Sequence, residues 1–278
     1  STDNSFNDSA ATWITDGFKV GDLVSVTGFS TNPENNVVDA RITALTEIKM
    51  TVDATLVTEA AGDSVTIAVA GDYLEVGETV PTFALLRRNT DTSIDTLYRR
   101  CRIGGFTLPA TLNAAVALSF PVVGEEVENY TVPGGSTFDA QTTTERMIPT
   151  IGYMNENGSA LGYLSDYSLE FSNNMEPVFA LFQRAAYDIS NGVFTASGSL
   201  TAYQEDTVLI DKFLNETESD HVLRLEDPAG NAYRFILPKV GYSDLSDPVS
   251  GPGKHLHTFS FSAGYDGVTT ARIERIPV

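Results

Sequence analysis

The sequence predicts an all-β chain with one short flanking α-helix, and three observations carry that prediction. Apolar residues recur at every second position in segments of strand length, and Gly, Pro, Asn and Asp interrupt these segments at short intervals. One stretch, "EDTVLIDKFLN" at 205–215, instead gathers its apolar residues at helical spacing. At 278 residues the chain can form one large β domain or a main domain with a satellite, and in either case it can bury a core.

The opening residues 1–12, "STDNSFNDSAAT", are small and polar, as expected of a flexible arm or connecting loop. From Trp13 to residue 70 the strands are short. Leu23, Val24 and Val26, then Val37, Val38 and Ile42, then Ile48, Met50 and Val52, then Val65, Ile67 and Val69 predict a small β-barrel-like module. Gly17, Gly21, Gly28 and Gly62 fall where its tight turns would need positive φ. A link near 70–81 then opens the main body, 71–278.

In the main body, "TFALLRRN" and "TLYRRCRIGGFTL" read as strands. "LNAAVALSFPV" reads as another, with Leu112, Ala114, Val116, Leu118 and Phe120 on one face. The segment 124–163 is too long for a hairpin connection and is expected to be a long functional loop. "EPVFALFQRAAYDI" fits a helical turn after Pro177 or a strand.

Three later strands share a feature. "DYSLEFS", "FTASGSLTAY" and "HLHTFSFSA" each alternate a core residue with a small hydroxyl or acidic one. A solvated antiparallel sheet more often turns Lys, Glu and Arg outward. A short neutral face therefore points to close approach or to the lining of a passage, although a plain β-sandwich with Ser and Thr outside fits the same pattern. Between the second and third of these strands, Asp206 can cap a helix over 207–215 whose Leu209, Ile210, Phe213 and Leu214 lie on one side. So short a helix is marginal alone and must dock its apolar side on the sheet. "VLRLEDPAGNAYRFILPKV" reads as a hairpin turning at 227–230.

Charge bounds the partners. With 37 acidic and 17 basic residues, net −20, the chain cannot present the broad basic surface that tight nucleic-acid binding requires. The acidity equally serves solubility. No apolar run approaches the roughly 20 residues of a membrane span, and no secretory signal is read before residue 20. The chain opens Ser1-Thr2 without methionine, as a processed protein or a fragment would. Its single cysteine, Cys101, excludes an intrachain disulfide and reads as a small buried strand residue. His255 and His257 share a strand face but have no evident third ligand, and Asp244 and Asp247 sit in ordinary loop chemistry. No phosphate-cradling, nucleophile-elbow or zinc-helix motif occurs, so no enzyme activity and no cofactor are expected.

The stretches "TFALLRRNTDTSIDTLYRRCRIGGFTLPA", "GVFTASGSLTAYQEDTVLIDKFLNETES", "YRFILPKVGYSD" and "HTFSFSAGYD" together resemble the tail tube (major tail) protein family of siphovirus-type bacteriophages. The resemblance implies a virion protein, assembled in the bacterial cytoplasm, whose β-sandwich subunit forms six-membered rings stacked into a tube. Its implied partners are further copies of itself, the tape measure protein, the tail terminator, the distal tail or baseplate proteins, and DNA that passes without being gripped. If each subunit gave about four strands, a closed barrel of roughly 24 would leave a lumen of about 35 to 40 Å, wide enough for duplex DNA. Thr195, Ser197, Ser199 and Thr201 are the first choice for its lining. Leu209, Ile210, Phe213 and Leu214 would buttress the subunit's flank. The 13–70 module would then be an outward decoration, and the 124–163 loop would reach a neighbouring subunit or ring. The competing reading is a carbohydrate- or surface-binding β module of a virion or secreted protein, which would need an exposed Trp and Tyr platform.

Overall fold

Strand pairing accounts for 49% of the chain and helix for 4%, so the all-β expectation holds. The computed structural model describes every residue except 1–2, 11, 17, 19, 21, 61, 90, 93, 141–145, 249–254 and 277–278. The chain divides into two compact units. The first comprises Ser1–Leu74, Ala229–Arg234 and Ile273–Val278, and the second Glu75–Pro228 and Phe235–Arg272.

In the first unit, β1 (Ser5–Asn7), β2 (Leu23–Thr27), β3 (Ala40–Leu45), β4 (Lys49–Val52) and β5 (Thr66–Val69) form a sheet in the order β1-β4-β3-β2-β5. The opening segment is therefore not an arm throughout. Phe6 is buried in the core with Val24, Val26, Ala40, Ile42, Met50 and Val52, and that apolar anchor pulls Ser5–Asn7 into register with Lys49–Thr51. Of the alternating residues expected in this core, Val38, Ile48 and Val69 are exposed instead. Val38 falls outside the strands, and Ile48 lies just ahead of β4, where the pleat no longer dictates direction. Trp13 packs edge-on against Phe18, 5.6 Å between ring centres, beside the core cluster. Gly28 has φ +109°, and a Cβ there would lie 2.3 Å from the Ser64 carbonyl oxygen, which explains glycine at that turn. Gly17 and Gly21 lie outside the described residues.

A buried carboxylate joins three stretches of chain in the first unit. Glu274, on β21 (Arg272–Ile276), is fully buried, with Oε1 2.8 Å from Arg41 Nη2 and Oε2 2.6 Å from Arg234 Nε. Two guanidinium groups balance the cost of burying one carboxylate. β21 pairs both β6 (Asp72–Glu75) and β19 (Ala232–Ser246).

The second unit begins with a smaller sheet. β8 (Ile94–Ile103) lies between β7 (Phe83–Asn89) on one side and β10 (Val122–Val123) and β11 (Glu126–Tyr130) on the other. Cys101, on β8, is buried. The main sheet follows the order β13-β12-β18-β19-β20-β17-β14-β9. Its strands are β9 (Gly105–Thr111), β12 (Gly152–Glu156), β13 (Ser159–Ala160), β14 (Leu164–Ser172), β17 (Thr195–Tyr203), β18 (Ser219–Glu226), β19 and β20 (Leu256–Ala263). The expected hairpin at 227–230 is present as β18–β19, with Gly230 at φ +97°. β15 (Glu176–Val178) and β16 (Asp188–Ser190) pair only with each other. Of the two readings left open for this stretch, strand applies to both ends.

The main sheet curls about its apolar face. Strands four places apart in the order meet across it: Phe106 of β9 lies 6.1 Å from Phe235 of β19, and Tyr167 of β14 lies 6.1 Å from His221 of β18. Leu108, Leu169, Leu200, Phe259, Phe261, Leu223 and Leu237 fill the space between.

Two expectations fail here for physical reasons. The stretch 112–120 is not a strand. Asn113 turns the chain at φ +64°, and only Ser119 bridges to Thr107, so the alternation lacks the ladder partner that a strand requires. The segment 124–163 is not one loop, because β11, β12 and β13 fall within it and leave 131–151 as the long connection.

Candidate functional site: a hydroxyl-bearing sheet face and the helix behind it

The three hydroxyl-alternating strands are immediate neighbours in the sheet, β14, β17 and β20, and β9 extends the same face at the edge. Antiparallel register lines up their outward residues in cross-strand rows. One row is Pro109, Ser168, Ser199 and Ser260; the next is Thr107, Glu170, Ser197 and Ser262; a third is Thr111, Asp166, Thr201 and Thr258. Thr195 stands opposite Ser172 at the strand's end. The charges in the three rows are Asp166 and Glu170, both acidic, and no row contains Lys or Arg.

The hydroxyls satisfy one another. Ser168 Oγ lies 2.8 Å from Ser199 Oγ, and Thr201 Oγ1 lies 3.0 Å from Thr258 Oγ1. The Ser199 N–H also donates to Ser168 Oγ at 3.2 Å. Side chains that pair laterally stay low on the sheet, and the face holds an open groove of about 630 Å³ lined by Thr107, Ser168, Glu170, Ser197, Ser260 and Ser262, among others. Chemically, such a surface offers weak neutral hydrogen bonding and negative charge. Among the described residues no group of three or more His, Cys, Asp or Glu could hold a metal ion.

Behind this face stands α1 (Val208–Leu214), the one α-helix among the described residues. The cap position is Thr207, one residue later than expected, and the Asp206 carboxylate accepts the Val208 N–H at 3.0 Å from just outside the helix. Leu209 is buried and, with Ile210, lines a narrow crevice shared with Ala202, His257 and Phe259, residues of the sheet's apolar side. Phe213 is half-buried. Leu214 is 67% exposed and does not belong to the anchoring side, because the helix ends there and Asn215 turns back to cap it.

Sequence reasoning missed the polar half of this anchor. Lys212 of α1 forms a salt bridge with Glu156 of β12, which also accepts a hydrogen bond from Ser219 Oγ. Both Glu156 and Ser219 are buried. Next to them, fully buried His221 lies between two phenols, with Nε2 3.0 Å from Tyr242 Oη and Nδ1 3.4 Å from Tyr167 Oη. His221 falls at the same alternate positions of β18 as buried Leu223 and Leu225, the one local signal for its burial, and its partners come from distant strands.

Burial, and secondarily the Lys212 charge, push the His221 imidazole down to about 3 from its ordinary 6.5, so it stays neutral. Burial pushes the Tyr167 and Tyr242 phenols well above their ordinary value. A histidine with a lowered folded-state pKa contributes stability that is full above pH 6.5 and is lost as pH falls toward 3. Between pH 7 and pH 5 its share of the loss should be about 2 kcal/mol. Urea unfolding at the two pH values, compared with His221→Gln, measures it; an equal loss in the variant would refute the assignment.

The fold and face thus describe an all-β protein with an acidic, hydroxylated sheet surface braced from behind by a helix. A family model described as phage tail tube protein matches residues 2–263, and the chain belongs to that family. It is accordingly a structural component of a phage virion tail that self-assembles into a tube and meets other tail components. A comparison with curated proteins finds no match.

Proposed function

We propose that this chain is the subunit of stacked six-membered rings forming a siphovirus-type tail tube, and that the tube conducts DNA out of the particle. The observation that carries this reading is the continuous Ser/Thr face over β9, β14, β17 and β20, with Asp166 and Glu170 as the charges of its rows. A conduit for a polyanion must not hold it, and Lys and Arg are the groups that would. If these four strands of each copy line the lumen, a ring of six closes a barrel of roughly 24 strands that admits duplex DNA.

In this reading Thr195, Ser197, Ser199 and Thr201 line the lumen, while Leu209, Ile210 and Phe213 with Lys212 hold α1 as a buttress on the opposite side of the sheet. The tape measure protein occupies the lumen before DNA does, and the tail terminator and the distal tail or baseplate proteins close the two ends. The 13–70 module is displayed outward as a decoration, and the loop that remains of the 124–163 segment reaches a neighbouring subunit or ring.

Electron microscopy of purified protein tests the reading: stacked rings around an open channel are expected, and a chain that stays monomeric under all conditions would overturn it. The lumen assignment has its own test. Particles carrying Ser197→Arg with Ser199→Arg should assemble but eject DNA more slowly, on the order of tenfold, with recovery as salt screens the added charge. Ejection at the normal rate would place these residues elsewhere.

A further inference from the structure

The stretch between β15 and β16 carries the two most exposed large apolar side chains among the described residues of the second unit. Phe182 is fully exposed, Leu181 is 86% exposed and Phe179 68%. Phe182 also has φ +65°, a left-handed conformation that costs a bulky residue and that persists only where the surrounding structure imposes it. The base below is firmly tied. Ile189 and Ala186 are buried, and the Tyr187 N–H donates to the Val178 carbonyl at 2.8 Å. The Ala186 N–H donates to the Glu125 carbonyl at 3.1 Å, and Arg102 Nη1 donates to the Ile189 carbonyl at 2.6 Å. The result is a prong tied at its base and carrying an uncovered apolar tip.

The same unit exposes a second apolar surface. Along the irregular stretch after β9, Leu112 is 55%, Leu118 44% and Phe120 49% exposed. Neither surface covers the other within the chain. A head-to-tail assembly requires two distinct complementary patches on every copy, one given and one received. Arg184 next to the prong is exposed, and the surface it would meet on another copy belongs to a chain of net charge −20.

We propose that the prong formed by Phe179, Leu181 and Phe182 is a subunit-joining element that seats on Leu112, Leu118 and Phe120 of an adjacent copy of this chain. The proposal rests on the tube-building reading above and adds which surfaces join. Exposed anchors of this kind contribute nothing to the isolated subunit and concentrate the energy of the interface.

The test uses the full chain. Because Cys101 is buried, Phe182→Cys gives a single labelling site for an environment-sensitive maleimide dye. Wild-type tubes are imaged first, and their failure to form would overturn both the tube reading and this proposal. Given tubes, Phe182→Ser should melt at the wild-type temperature yet need on the order of tenfold more protein to assemble, while Phe182→Leu assembles normally. The dye at residue 182 should become shielded on assembly, and Phe182→Cys with Leu118→Cys should cross-link into ladders of subunits. Assembly of Phe182→Ser at the wild-type concentration, or a dye that stays solvent-exposed in tubes, would overturn the proposal and leave the tube reading standing. A dye shielded only in whole particles would also overturn it, by assigning the prong to another tail protein.

Discussion

Replacing Gly198 with Val is expected to abolish the soluble folded protein. Gly198 lies on the apolar side of β17, opposite Leu169 on one neighbouring strand and Phe261 on the other. A Cβ at this position would stand 2.1 Å from the Ser168 carbonyl oxygen and 2.5 Å from the Phe261 ring. The ring alone could turn away, but the carbonyl belongs to the β14–β17 ladder and cannot move without breaking it. Overpacking ordinarily costs about 1 to 3 kcal/mol, and a clash with backbone exceeds that range, against a total stability of about 5 to 15. Soluble yield and a thermal melt measure the effect; a variant melting within a few degrees of wild type would show that the sheet can part there. Ser199→Ala, one residue away on the other face, should be nearly neutral and serves as the control.

Glu156→Ala should be the next most damaging substitution, costing about 3 to 5 kcal/mol. It removes the carboxylate that pairs Lys212 and accepts from Ser219, and it leaves an ammonium whose side chain is only 14% exposed without its counter-charge. The loss is one of an orphaned charge, so replacing both partners at once, Glu156→Leu with Lys212→Met, should recover most of the stability. Equilibrium unfolding in denaturant on the wild type and the two variants reads this directly. A loss below about 1 kcal/mol in Glu156→Ala would mean that Lys212 escapes to water and that α1 is held by its apolar side alone.

These two sites differ in how far the sequence announced them. Alternation along β14, β17 and β20 marked Ser168, Ser197, Ser199, Thr201, Ser260 and Ser262 as one kind of face, because a period of two is a local property of a pleated strand. The apolar spacing of Leu209, Ile210 and Phe213 likewise marked a docked helix. Glu156 and Lys212 carried no such sign, since either could belong to a solvated surface in a chain this acidic. Leu214 shows the limit from the other direction: its spacing fits the anchored side, but the helix ends before the sheet can cover it.

The sequence by itself determined the all-β class, the strands that alternate core with hydroxyl, the place of the helix and the strongly acidic balance of charge. These follow from local periodicity and from composition, which need no knowledge of neighbours. Only the tertiary structure decided that the three hydroxyl strands adjoin in register as one face, that Phe6 draws the opening segment into a sheet, and that 112–120 lies uncovered. It also decided that Lys212, Glu156, His221 and two distant tyrosines share one buried cluster. Pairing partners and burial are set by long-range closure of the chain, where the energies of contacts far apart in sequence outweigh local pattern.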